Sequence, residues 1–212
     1  MKQSTTKTLY GYWDATRGSR MAPRRFEIEP ARIADILSDT LILERGDDTV
    51  FRFRLAGTRL CDTFGQELRG STFTDGWGSE DRATLQRHLA IIARQAGVGL
   101  FQFEAETAEG HRGRFEILLL PLMHTRETVD RILGCIVATD HLDWLGHEAI
   151  VKRSLISAEI IWPNGREPLP ETPPQHQPSP FLPHVHDARV VRSERRQFRV
   201  YEGGLSKSDA PR

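Results

Sequence analysis

Between residues 49 and 55 polar and apolar side chains alternate as Thr49, Val50, Phe51, Arg52, Phe53, Arg54 and Leu55. A period of two predicts a β-strand, and Gly57 ends it. A short polar helical turn follows. Gly65 and Gly70 then mark points of positive φ or of close backbone approach. Upstream, Leu9, Trp13 and Thr16 share one helical face, Gly18 is a stop, and Pro23 prevents continuation. Pro30 to Leu37 predicts a second short helix, with Pro30 in its first turn and Ile33, Ile36 and Leu37 on one side. Leu41 to Glu44 reads as a strand, joined through a turn at Arg45-Gly46-Asp47-Asp48 to the Thr49–Gly57 strand.

From Ser79 to Gln95 the period changes to 3.6. Leu85, His88, Leu89, Ile92 and Ala96 fall on one face, and Glu80 and Asp81 suit the first turn. Gly97 and Gly99 close that segment. Three strands then follow at Leu100–Thr107, Arg114–Leu122 and Arg131–Thr139. Consecutive strands joined by short turns predict antiparallel pairing. The expected fold is therefore α+β: a five-stranded antiparallel sheet with helices on one face. A helical flank over residues 1–40 precedes a core at 41–146. Residues 147–162 form an extension in which Ile150 to Trp162 is open to strand or helix.

The texture changes beyond that point. Eight of the twelve prolines lie between Pro163 and Pro183. Such density removes backbone donors and predicts an extended linker over 163–188. A basic segment, 189–212, closes the sequence with Arg189, Arg192, Arg195, Arg196 and Arg199. It also carries Phe198, Val200 and Tyr201 in alternation with Arg199 and Glu202, a pattern suited to adding a strand to a partner's sheet edge.

Net charge is zero over 212 residues and the hydrophobic fraction is 38%. The balance argues against nucleic acid as the main partner. Met1 to Thr8 is polar with no apolar run of signal-peptide length, and no segment approaches 18 apolar residues, so membrane insertion is not expected. Cys61 and Cys135 form neither a disulfide framework nor a metal spacing, and each reads as a buried thiol. A cytoplasmic location is the expectation.

The order of elements resembles that of a PAS domain, and local residues sharpen the likeness. Tyr12-Trp13 with Arg17-Gly18, Arg20, Pro23 and Arg25, then Pro30, Ile33 and Leu37, resembles the opening of the single-domain PAS proteins typical of alphaproteobacteria. Arg54-Leu55-Ala56-Gly57-Thr58 and Phe64-Gly65-Gln66-Glu67-Leu68-Arg69-Gly70 resemble that family's central motif. The likeness spans roughly residues 8 to 145, and Phe198 to Gly204 resembles the end of some such proteins. It implies a sensory or protein-interaction module. Tyr12 and Trp13, on a helix expected to stand outside the sheet, are the candidate homodimer contact. The alternative is that this helix folds back over its own sheet.

The candidate ligand site lies between the sheet and the middle helix, lined by Phe53, His88, Ile92, Phe103, Phe115 and Ile117. The alternative is that side chains fill it and no ligand binds. In haem-binding PAS domains the axial histidine resembles one placed as His88 is, so a haem-based gas or redox sensor is the alternative function. The plainer reading, a histidine satisfied by a nearby carbonyl, is preferred, and no cofactor is expected. No flavin-adduct motif surrounds Cys61 or Cys135. His124, His141 and His147 lack the pairing of a metal site, as do His184 and His186. Arg17, Arg20, Arg24 and Arg25 either clamp a carboxylate or phosphate, or form a solvated face neutralised by Glu27 and Glu29. Arg192 to Arg199 is similar to the arginine motif of PilZ domains, but too few residues follow for that barrel. Nothing matches a catalytic set. A non-catalytic regulator acting on a protein partner is the expected function.

Overall fold

The computed structural model describes residues 1–46, 50–124, 128–163 and 165. All of these belong to one unit, Met1–Leu169. The linker and terminal calls, with Phe198 and Tyr201, lie outside the described residues, as do Asp47, Asp48 and Thr49.

Helix α1, Ser4–Arg17, buries Thr6, Leu9, Trp13 and Arg17, one stripe at helical spacing. Gly18 stops it at φ 58°, with its N–H bonded to Asp14 O at 3.2 Å. The second predicted helix is drawn tighter. Residues Pro30–Asp39 run as 3-10 turns interrupted at Ile33, and Ile33 is buried. A further 3-10 turn covers Arg25–Glu27.

Strands β1 (Thr40–Arg45) and β2 (Phe51–Ala56) pair as predicted. Helix α2, Thr58–Phe64, follows, and then α3, Ser79–Gln95. Strands β3 (Val98–Thr107), β4 (Arg112–Met123) and β5 (Val129–Ala138) complete the predicted set. The sheet order is β2-β1-β5-β4-β3-β6 and every neighbouring pair is antiparallel.

One expectation is corrected. The sheet has six strands rather than five: β6, Ile150–Ile161, pairs with β3 along nearly its whole length. Its isoleucines and valine suit an extended chain, and the paired β3 backbone resolves the strand-or-helix alternative. The core helices share one face, as expected, and the helix of the N-terminal flank takes the other. Helices α2 and α3 cover a face carrying Phe101, Phe103, Phe115 and Ile117, whereas α1 covers Leu118, Leu120, Leu133 and Cys135 on the other. Strand alternation makes two apolar faces wherever both sets of positions are apolar, as they are in β4, and each face then needs a cover.

Two glycines explain the tight join between β2 and α2. A side chain at Gly57 would run into the Ser38 carbonyl. The Gly57 N–H also bonds to Thr40 O at 2.8 Å. Gly65, at φ 62°, closes α2 in the left-handed region that favours glycine.

Candidate functional site

Five of the six residues predicted for the ligand site meet in one layer between α3 and the sheet. Phe53, Ile92, Phe103, Phe115 and Ile117 all belong to the buried cluster on this face. They meet as packed side chains. Phe103 stacks on Phe115 with centroids 5.1 Å apart, and Trp77 meets Phe103 edge-on at 5.2 Å. Such pairs add roughly 0.5–1.5 kcal/mol each beyond the area they bury.

His88 is the sixth. It is half-buried, its Nδ1 lies 2.8 Å from the Thr84 carbonyl one turn back, and its ring meets Phe101 edge-on at 5.5 Å. A carbonyl oxygen can only accept, so His88 donates its Nδ1–H to it. A depression of about 360 Å³ opens beside α3, against the β1–β2 hairpin, lined by Val50, Phe51, Leu89 and Ala93 among others. None of the six residues lines it.

A residue that sequence reasoning missed closes the layer. Arg153 reaches inward from β6, its guanidinium 5.0 Å from the Phe64 ring and 5.7 Å from that of Trp77. Its Nε is buried without a hydrogen-bond partner among the described residues. Burial lowers the Arg153 pKa, and Asp75 acts against that. An arginine at one inward position of an otherwise mixed strand leaves no periodic signal.

On the opposite face the motif residues act in a different way. Trp13 is 0% exposed, and its Nε1–H donates to Pro121 O at 2.9 Å. The helix expected to stand outside the sheet thus lies on it, and Trp13 is spent within its own chain. Tyr12, about 100° round the helix, accepts from the Glu29 N–H at 2.7 Å and lies under Arg32. Helix α1 is also held at its start. The Glu116 carboxylate, fully buried on β4, accepts from the Lys2 and Gln3 N–H groups and from the Thr6 hydroxyl at 2.6 Å. Burial pushes its pKa up, but these hydrogen bonds outweigh burial and hold it below the usual carboxylate range. A lone acid within Phe115-Glu116-Ile117-Leu118 was the available signal.

The four clustered arginines divide. Arg17 is 5% exposed and bonded to Asp14 and the Arg20 carbonyl, with Trp13 beneath it. Arg20 binds Glu27 at 2.9 Å and takes the Arg17 and Thr16 carbonyls. Both therefore cap the end of α1 rather than face a ligand. Arg24 lies over the Phe26 ring. Arg25 turns elsewhere. The Met123 N–H bonds to Pro23 O at 3.0 Å, tying this segment to the end of β4. From there Arg25 lines a groove of about 600 Å³ with Arg54, Arg69, Arg131 and His124. A second depression of about 440 Å³ shares Arg54 and Arg69 and adds Gly70, whose φ is 86°.

A family profile described as PAS domain matches residues 1–137. The chain belongs to the PAS domain family. The match takes in α1 and all but the last residue of β5, and β6 lies beyond it. The crystal structure of the PAS domain of an HTR-like protein from Haloarcula marismortui is similar at 18% identity and a TM-score of 0.36. That match covers 54% of this chain and 94% of the other. No curated protein sequence matches this PAS protein. Among the described residues no helix is long and apolar enough to cross a membrane, and no group of three or more His, Cys, Asp or Glu is placed to hold a metal ion. His141 instead pairs with Asp143 at 3.2 Å on an exposed loop.

Proposed function

We propose that this PAS domain is a non-catalytic regulator that transmits its signal by contact with a protein partner, in the cytoplasm. The observation that carries the reading is the filled layer under α3. Phe103, Phe115 and Trp77 occupy the space between helix and sheet, and Arg153 from β6 closes its rim. A domain so packed offers its surface, and changes in that surface, as its output. Tuning by a small molecule belongs to the same proposal, with entry at the depression against the β1–β2 hairpin.

In-cell photocrosslinking followed by mass spectrometry tests the reading. A reproducible partner, lost when Phe103→Ala disrupts the packed layer, is expected. Turnover of a substrate by the purified chain would overturn it. The haem alternative has its own readout. A stoichiometric Soret band abolished by His88→Ala, with His88 Nε2 as the ligand, would replace the first reading.

A further inference from the structure

Helix α1 lies over β4 and β5, and at the edge of the sheet β2 leaves Arg54 and Leu55 exposed. There the outward positions turn basic. Arg54 and Arg131 flank Glu44, whose carboxylate lies 3.0 Å from the first and 2.6 Å from the second. Arg25 arrives from the 3-10 turn and Arg69 from the loop after α2. Neither guanidinium makes a hydrogen bond or ion pair among the described residues. Arg131 is 12% exposed and therefore held in place, whereas Arg54 is 60% exposed and open to a second acceptor. Motif residues that are far apart in sequence, Arg25, Arg54 and Gly70, thus line two depressions that share Arg54 and Arg69.

We infer that this arginine groove is the docking surface for an acidic, partly apolar segment of a partner protein. The inference rests on the regulatory reading above and names the partner's chemistry. Three features favour carboxylates on a peptide. Glu44 already shows a carboxylate bridging two of the arginines, a planar pairing to which guanidinium is matched. Leu55 lies on the groove and is 44% exposed, an apolar contact for a side chain set between acids. Glu67 and Glu44 interrupt the positive field, so an evenly charged phosphate backbone meets two repulsive points.

The test uses the full chain and a fluorescein-labelled peptide of repeating Glu-Asp-Leu, followed by anisotropy at low and raised salt. Saturable binding that weakens with salt is expected. Arg54→Glu with Arg69→Glu should weaken it about tenfold or more. Arg112→Glu with Arg114→Glu makes the same change in net charge on exposed strand positions outside the groove, and should leave binding within about twofold. Reversal at Arg54 also sets two carboxylates together at Glu44. Arg25→Ala with Arg69→Ala is therefore the second variant, and it should weaken binding without lowering the melting temperature.

No binding to the wild-type chain overturns the proposal. So does equal loss in the two reversal variants, or tighter binding of a single-stranded oligonucleotide of matched charge. If the partner found by crosslinking is captured equally by the Arg25/Arg69 variant, this surface is wrong and the regulatory reading stands. If crosslinking finds no partner while the peptide binds, the regulatory reading fails and the site remains.

Discussion

The two faces of the sheet are built from the same strands and hold their helices by different means. Under α3 the contact is aromatic and aliphatic, with Leu85, Leu89 and Ile92 set on Phe101 and Phe103. Under α1 two directional polar anchors supplement a smaller apolar contact: the Trp13 N–H on Pro121 O and the Glu116 carboxylate at the helix start. Apolar packing is non-directional and is lost in proportion to volume. A polar anchor fails all at once when its partner is removed. The α3 side should therefore govern global stability, and the α1 side should open locally. Cys135 sits under α1, and burial first of all holds its thiol well above the ordinary range. Its labelling is a direct readout of that opening.

The comparison breaks most visibly at Phe103. Phe103→Ala should cost about 3–5 kcal/mol and lower a single cooperative melting transition. A smaller loss than that of Trp13→Phe would reverse the assignment of the two faces. Next in size, Trp13→Phe keeps an aromatic ring but leaves the Pro121 carbonyl unpaired, at about 1–3 kcal/mol. It should speed Cys135 labelling by a maleimide far more than it lowers the melting temperature. Slow labelling in this variant would mean that α1 does not open separately. Light scattering on the same pair of proteins addresses self-association. With Trp13 buried in its own chain, any dimer should survive the substitution.

Glu116→Gln is expected to cost about 1–2 kcal/mol at neutral pH, through weaker charge-assisted hydrogen bonds to the start of α1. The Glu116 pKa is lowered in the folded state. Its contribution is therefore present above the ordinary glutamate value and lost as pH falls through the folded one. Amide hydrogen exchange in the first turn of α1, referred to the intrinsic exchange rate at each pH, should rise in that acid window, and the glutamine variant should show no such rise. The smallest effect belongs to His111 and Glu148, paired at 2.8 Å on the surface. The histidine pKa is raised and the glutamate pKa lowered, chiefly by their mutual hydrogen bond. Histidine's share is full below its ordinary value and fades as pH rises through the raised one. Glutamate's share is full above its ordinary value and fades in acid. Their joint optimum falls between the ordinary values, about pH 4.3 to 6.5. His111→Ala should flatten the melting profile there slightly, and a change as large as that of Glu116→Gln would show the pair to be more than a solvated contact.

Periodicity along the chain determined most of the α3 side. The alternation at Phe51 and Phe53, the 3.6 period at Leu85, Leu89 and Ile92, and the runs that became β3, β4 and β5 each name an element and its apolar face, because burial repeats with the backbone's own period. The stop at Gly18 and the join at Gly57 were legible for the same local reason. Three features were decided by tertiary structure. Strand β6 depended on the β3 edge it pairs with, since Ile150 to Ile161 suits either conformation until a neighbouring backbone supplies hydrogen bonds. The placement of α1 depended on β4 being apolar on both faces and on Glu116, a partner more than a hundred residues away in sequence. The arginine groove gathers Arg25, Arg54, Arg69 and Arg131 from four separate elements. Sequence spacing carries no information about such a meeting. Charged side chains follow no period of their own, and their neighbours are set by where the packed faces carry them.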